Sequence, residues 1–251
     1  MKLEIASRLA VRLFGCLGLM LASPALGLAA TNSWSLACPN GQCVLAVSLD
    51  RGELSYQASR NGKPVILKSP LGLRRNDQDF ECGLVFETAT EPENRLERYE
   101  LFAGPHPQVS KVLSHRLLKF RNSSGAPLEI DLAASDEAVG FRYRFPETNQ
   151  LVRVIQSERT GFNLPRSARG WLQPYHAASQ YTPAYEDFYF HLSPGVPPPN
   201  SRQKAVGWTF PALFHISAAA TWVLLTTPLE NSTRWHHALP ARGGFILRLD
   251  Q

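Results

Sequence analysis

The sequence predicts an all-β fold, a sandwich or barrel of antiparallel strands, on three observations. Apolar and polar residues alternate with period two through much of the chain, as in strands that turn one face to a core and the other to water. Clusters of Gly, Asn, Asp, Ser and Pro interrupt the alternation at roughly 8–12-residue intervals, the spacing of sandwiches and barrels. No stretch keeps a helical repeat beyond two turns. With 251 residues, 44% of them hydrophobic and 19% charged, the composition is ordinary for a globular protein, and a sizeable core needs no metal or set of disulfides.

Residues 1–29 read as a secretory signal peptide. Lys2, Arg8 and Arg12 precede an apolar run from Leu13 to Leu21, and Gly27-Leu28-Ala29 supplies the small residues of a cleavage site after Ala29. The run falls short of the roughly 20 residues of a membrane-spanning helix. An exported protein, periplasmic or extracellular, is therefore expected, without membrane attachment after cleavage. Loss of Lys2, Arg8, Arg12 and Glu4 lowers the formal charge from +5 to +3. The remaining basic residues stand singly or in pairs such as Arg74-Arg75, so nucleic acid is not an expected partner.

Residues 30–251 read as one domain. Cys38 and Cys43 flank Pro39-Asn40-Gly41-Gln42, and Asn-Gly is a strong hairpin-turn signal. Strands leaving that turn would bring the two sulfurs face to face, so a Cys38–Cys43 disulfide is expected in an exported chain, with Cys82 a buried thiol. Alternation from Val44 to Leu49 ends at Asp50-Arg51-Gly52. Leu54, Tyr56 and Ala58 share the next strand face, and Asn61-Gly62 turns into Pro64-Val65-Ile66-Leu67. Further strands are expected at Leu84–Thr88, Tyr99–Phe102, Val112–Phe120 and Leu128–Ala133. Phe141, Tyr143 and Phe145 against Arg142 and Arg144 give the clearest alternation. From Leu164 to Asn200 the pattern is lost in a long segment rich in Pro, Gly, Tyr and Trp, of the kind that often carries function. Strands resume at Val206–Phe210, Leu213–Ile216, Trp222–Thr226 and Phe245–Leu249.

Several of these segments carry a family resemblance. Ser48-Leu49-Asp50, Leu54-Ser55-Tyr56, Asn61-Gly62-Lys63-Pro64-Val65 and Ser69-Pro70-Leu71-Gly72-Leu73 resemble the start of family 97 glycoside hydrolases. Asp136 to Tyr143, Trp171 with Gln173-Pro174-Tyr175, Thr182 to Glu186, and Trp222-Val223-Leu224-Leu225 follow in the family's order. The resemblance implies a galactose mutarotase-like β-supersandwich, the domain that precedes a catalytic (β/α)₈ barrel and a small C-terminal β-domain. It also implies α-glucosides or α-galactosides as substrates of the whole enzyme, with the reacting carboxylates on the barrel. Calcium would be held mainly by barrel glutamates, with one glutamate from the N-terminal domain, and Glu186 is the position that is similar to it. The sequence reaches Gln251 before a barrel strand could begin, and Thr227 to His237 departs from the family's pattern.

The residues alone set limits on the chemistry. Glycoside hydrolysis needs two carboxyl groups about 5 to 9.5 Å apart around the scissile bond. Glu186-Asp187 is the one acidic pair inside the long aromatic segment, and adjacent residues usually point apart. Calcium takes six to eight oxygens, so Glu186 would need ligands from elsewhere; otherwise it bonds loop amides or an Arg. Trp171, Tyr175, Tyr181 and Tyr185 could stack on sugar rings or pin the segment onto the sheet. His236-His237 make a poor metal site, because neighbours on a strand face opposite ways. The expected function is a carbohydrate-binding accessory domain that braces a barrel. Its partners would be an α-linked oligosaccharide or the catalytic domain, and calcium would bind only with that domain's ligands. An envelope interaction protein, or half of a split α-glycosidase, are the alternatives.

Overall fold

The computed structural model describes residues 32–100, 108–149, 151–176, 187–198, 205–226, 235–237 and 244–250, with the backbone alone at 205–206, 235–237 and 244–250. The signal-peptide reading of residues 1–29 lies outside them. Strands β1 (Asn32–Ala37), β2 (Cys43–Asp50), β3 (Glu53–Arg60) and β4 (Lys63–Pro70) form a four-stranded antiparallel sheet in chain order. Its two tight hairpins have left-handed backbone at both central residues, Arg51-Gly52 (φ 49° and 80°) and Asn61-Gly62 (φ 50° and 73°). That conformation matches the twist of paired strands, and it is why Asn-Gly marked the turn.

After the short β5 (Leu73–Arg75) come β6 (Val85–Ala89), β7 (Glu93–Glu100), β8 (Gln108–Arg121), β9 (Pro127–Ala134), β10 (Ala138–Arg144) and β11 (Arg153–Glu158). Then follow β12 (Ala168–Leu172), β13 (Pro174–His176), β14 (Phe190–Leu192), β15 (Ala205–Trp208), β16 (Ala212–Ile216), β17 (Thr221–Thr226), β18 (Trp235–His237) and β19 (Gly244–Asp250). A ten-stranded sheet runs β14-β12-β16-β17-β19-β10-β9-β8-β6, with β7 also on β8. β18-β11-β5 and β13-β15 form two smaller sheets. The sole helical turn among the described residues is a 3₁₀ turn at Ser217–Ala219.

The core lies between the two main sheets. Cys43, Leu45, Val47 and Leu49 of β2 point inward at alternate positions. They share one buried cluster with Leu118 and Phe120 of β8, Ile130 and Leu132 of β9 and Phe141 of β10. Trp34 of β1 meets Phe86 and Phe120, with ring centroids at 4.4 and 5.6 Å. The cluster continues without a break into Ala168, Phe214, Ile216, Val223 and Leu225 of β12, β16 and β17. This all-β sandwich agrees with the fold class expected from the alternation.

Three expectations are corrected. Cys38 and Cys43 do face each other across the first hairpin, where the Cys38 amide donates to the Cys43 carbonyl at 2.9 Å, but they are free thiols and not a disulfide. Each sulfur is satisfied separately: Cys38 Sγ donates to Asn40 Oδ1 (3.0 Å), and Cys43 Sγ accepts from Arg60 Nη1 (3.4 Å). Burial and the adjacent Cys38 sulfur push the Cys43 thiol up to about 11, with Arg60 opposing. Cys82 is exposed, not buried; Phe80 and Leu84 on either side of it take the core positions. The strand expected at Tyr99–Phe102 is met at Tyr99 and Glu100 by β7, which begins at Glu93 in a run so polar and exposed that no alternation announces it; residues 101 and 102 lie outside the described residues. The segment from Leu164 to Asn200 is not wholly irregular, since it contains β12, β13 and β14.

Candidate functional site

The residues singled out in the Leu164–Asn200 segment fall on its three strands or outside the described residues. Trp171 sits on β12, whose inward positions are Ala168, Gly170 and Leu172 and whose outward positions are Arg169 and Trp171. Gly170 is required here: a Cβ would lie 2.5 Å from the Phe214 ring, which packs over it from β16. That packing fixes the strand's facing and turns Trp171 outward. His191 of β14, paired with Trp171 in register, stacks on its ring at 4.4 Å with planes 24° apart. Trp222 of β17 approaches at 5.2 Å, and His215 of β16 lies 4.8 Å from Trp222. One ring face of Trp171 is thus covered by an imidazole. Sequence reasoning missed Trp222, His191 and His215, which are far apart in the chain and meet through strand order.

Tyr175 is half-buried on β13 opposite Gly207. His176 beside it is buried, and its Nε2 meets the Asp187 carboxylate while Nδ1 has no partner. Gln173 Nε2 donates to the Asp187 carbonyl (3.0 Å), and the Gln173 carbonyl accepts from the Thr209 amide (2.9 Å). Asp187, the second member of the expected acidic pair, is therefore tied down through both side chain and backbone. Glu186, Tyr181 and Tyr185 lie outside the described residues. A buried His and its half-exposed Asp partner, eleven residues apart across a Pro- and Tyr-rich stretch, have no motif by which a sequence could reveal them.

Several of the described carboxylates are engaged in ion pairs. Asp131 pairs with Arg142 (3.0 Å), Glu129 with Lys119 (3.0 Å), and Glu147 and Asp77 with Arg75 (2.9 and 2.8 Å). Although burial opposes it, bonding from Arg75 and the Arg75 charge hold Asp77 below the usual carboxylate range. Glu158 is raised by burial and accepts from Thr160 Oγ1 at 2.6 Å. Among the described residues no three His, Cys, Asp or Glu side chains are grouped to hold a metal ion.

The family model described as "Glycosyl-hydrolase 97 N-terminal" matches residues 36–230. A probable retaining α-galactosidase of Streptomyces bingchenggensis (strain BCW-1) is 29% identical over 171 residues, which are 66% of this chain and 26% of that protein. A β-arabinopyranosidase crystal structure superposes with a TM-score of 0.68 at 24% identity, over 86% of this chain and 35% of that one. A family 97 enzyme from Pseudoalteromonas sp. strain K8, solved with panose, gives 0.66 at 16% identity over the same shares, 86% and 35%. The same enzyme was solved with acarbose. The chain spans about a quarter of the curated relative and about a third of each solved chain. Matched by the family model over most of its length, the chain belongs to the glycosyl-hydrolase 97 N-terminal family.

Proposed function

We propose that the chain is a non-catalytic, carbohydrate-binding accessory domain of an exported α-glycosidase. It braces a catalytic barrel and lends Glu186 to a calcium ion whose other ligands the barrel supplies. The observation that carries this reading is the ion pairing of the most enclosed described acids. Asp131, Glu129, Glu147 and Asp77 each serve a strand-to-strand or turn ion pair, so none stands opposite another across a cleft as a hydrolytic acid and base must. The family match supplies the parent architecture. Sugar contact falls to Tyr175, Tyr181 and Tyr185 ahead of Trp171, because His191 already occupies a face of the Trp171 ring.

The test is a paired assay of the purified chain. Aryl α-glucosides and α-galactosides should give no turnover, with or without calcium. Panose and acarbose, ligands of the Pseudoalteromonas enzyme, should bind with millimolar affinity by calorimetry. Turnover by the chain alone would sink the accessory reading; absence of any sugar binding would remove its carbohydrate-binding part.

A further inference from the structure

Strand β7 lies at the far edge of the ten-stranded sheet. Residues 114–121 of β8 are held by β9 on one side, but residues 108–113 pair with β7 alone. Arg95 to Glu100 and this part of β8 therefore form a two-stranded ribbon beyond the body of the sheet. Among the described residues no strand pairs with the outer edge of β7. Every β7 residue but Glu97 is exposed. Both faces of the ribbon carry bare apolar surface, Leu96 (54% exposed) beside Val112 on one and Tyr99 (50%) on the other. A two-stranded ribbon is marginal in water by itself, and an open edge is a template for another strand.

We propose that the β7 edge pairs antiparallel with the β7 edge of a second copy of this chain, with the two-fold axis at Leu96, joining two ribbons into a four-stranded sheet. The inference is independent of sugar binding and of the accessory role. Charge chooses both the occupant and the register. Glu93, Arg95 and Glu97 follow one another on one face of β7 with alternating sign. A two-fold axis normal to a sheet sets each residue against one that shares its face, so the axis passes through a residue. Two such positions pair all but one residue of β7. An axis at Glu97 sets that carboxylate against its own copy and Leu96 against Arg98. An axis at Leu96 sets Leu96 against Leu96, Asn94 against Arg98, and Arg95 against Glu97 twice over by symmetry. Opposite charges directly across a strand pair stabilise it and like charges destabilise it. Charged residues ordinarily guard an edge; a guard of one sign repels its own copy, whereas these alternating signs complement it. Within one chain Arg95 meets Glu93, but both side chains are more than half exposed, so that pair is weak and readily exchanged.

The experiment uses the whole chain, with Arg95→Glu and Glu97→Arg as separate variants, read by sedimentation velocity over a concentration series. Circular dichroism and Tm check that both fold. Wild type should show a monomer–dimer equilibrium, a weak one because a strand edge buries little surface. Each substitution sets like charges opposite one another at two places and should weaken dimerisation about tenfold or more. An equimolar mixture of the two variants should recover wild-type association, because the acidic face of one strand then meets the basic face of the other. In wild type alone, β7 amides should gain hydrogen-exchange protection as concentration rises, a readout that needs no variant. A wild-type chain that stays monomeric overturns the proposal, as does β7 exchange that ignores concentration. Dimerisation that both substitutions leave unchanged places the contact elsewhere and overturns it too. So do two monomeric variants that fail to associate when mixed, since loss without recovery is not charge pairing.

Discussion

Arg75 ties a turn, a neighbouring loop and two core rings together. Its side chain is 1% exposed; it holds Asp77 and Glu147 and lies over the Phe80 and Phe145 rings at 5.3 and 4.7 Å. Removing it leaves two carboxylates beside Arg153 alone; because Asp77 is 38% and Glu147 17% exposed, the loss is about 1 to 3 kcal/mol. Arg75→Ala should therefore lower the Tm markedly at neutral pH. Asp77 lies below its ordinary range in the folded chain, so its share of stability exists above the unfolded carboxylate range and fades as pH falls through the folded value. The gap between wild type and Arg75→Ala should narrow on acidification in thermal melts from pH 7 to pH 3. A gap that widens toward acid refutes the assignment. Glu158 has the opposite sign. The Gly72 amide donates to Tyr143 Oη, which bonds Thr160 Oγ1, which donates to Glu158 Oε1, while Glu158 Oε2 is buried without a partner. Burial raises this carboxyl, so its contribution is full in acid and is lost as pH rises through the folded value. Glu158→Gln keeps the acceptor for Thr160 and cannot ionise. It should leave acid stability unchanged and add on the order of 1 kcal/mol at alkaline pH. Equal Tm changes at both ends of the range would contradict this.

Strand β12 explains what a sequence can and cannot disclose. Alternation made β2, β9 and β10 legible because their inward residues are large and apolar while Ser48, Asp131 and Arg142 face out. In β12 the sizes are inverted: Ala168 and Gly170 go inward and Trp171 outward. The large partner is Phe214 on a neighbouring strand, so the hydrophobic volume at this point belongs to a different part of the chain. A reader of the segment alone sees a Trp beside a Gly and infers a loop. The hairpins, by contrast, are written locally, since Asn61-Gly62 needs only its own φ preferences. The candidate site inherits the same limit: Trp171 was visible, but His191, His215 and Trp222 join it only through strand order. Gly170→Ala tests the packing directly. The new methyl must displace the Phe214 ring or the strand, at about 1 to 3 kcal/mol, and the fluorescence of the outward Trp pair should change with it. A variant with unchanged Tm and emission would mean that Phe214 does not hold β12.

At the scale of the molecule, the two ends share one core. The buried cluster runs from Trp34 and Leu36 through Phe120 and Phe141 to Phe214 and Leu225, and β19 pairs with both β17 and β10, joining the halves of the large sheet. A domain tied this way should unfold as one unit. Trp34 is buried at one end, where it packs on Phe86 and Phe120, and Trp171 and Trp222 lie on the surface at the other. Trp34→Phe leaves Trp171, Trp208, Trp222 and Trp235 to report, and a variant with those four changed to Phe leaves Trp34 alone. Urea titrations of the two variants, followed by tryptophan emission and by far-ultraviolet circular dichroism, should each give coincident curves for both probes. Within either variant, an emission midpoint well separated from the dichroism midpoint would mean that the β1–β4 sheet and the β12–β17 region melt apart.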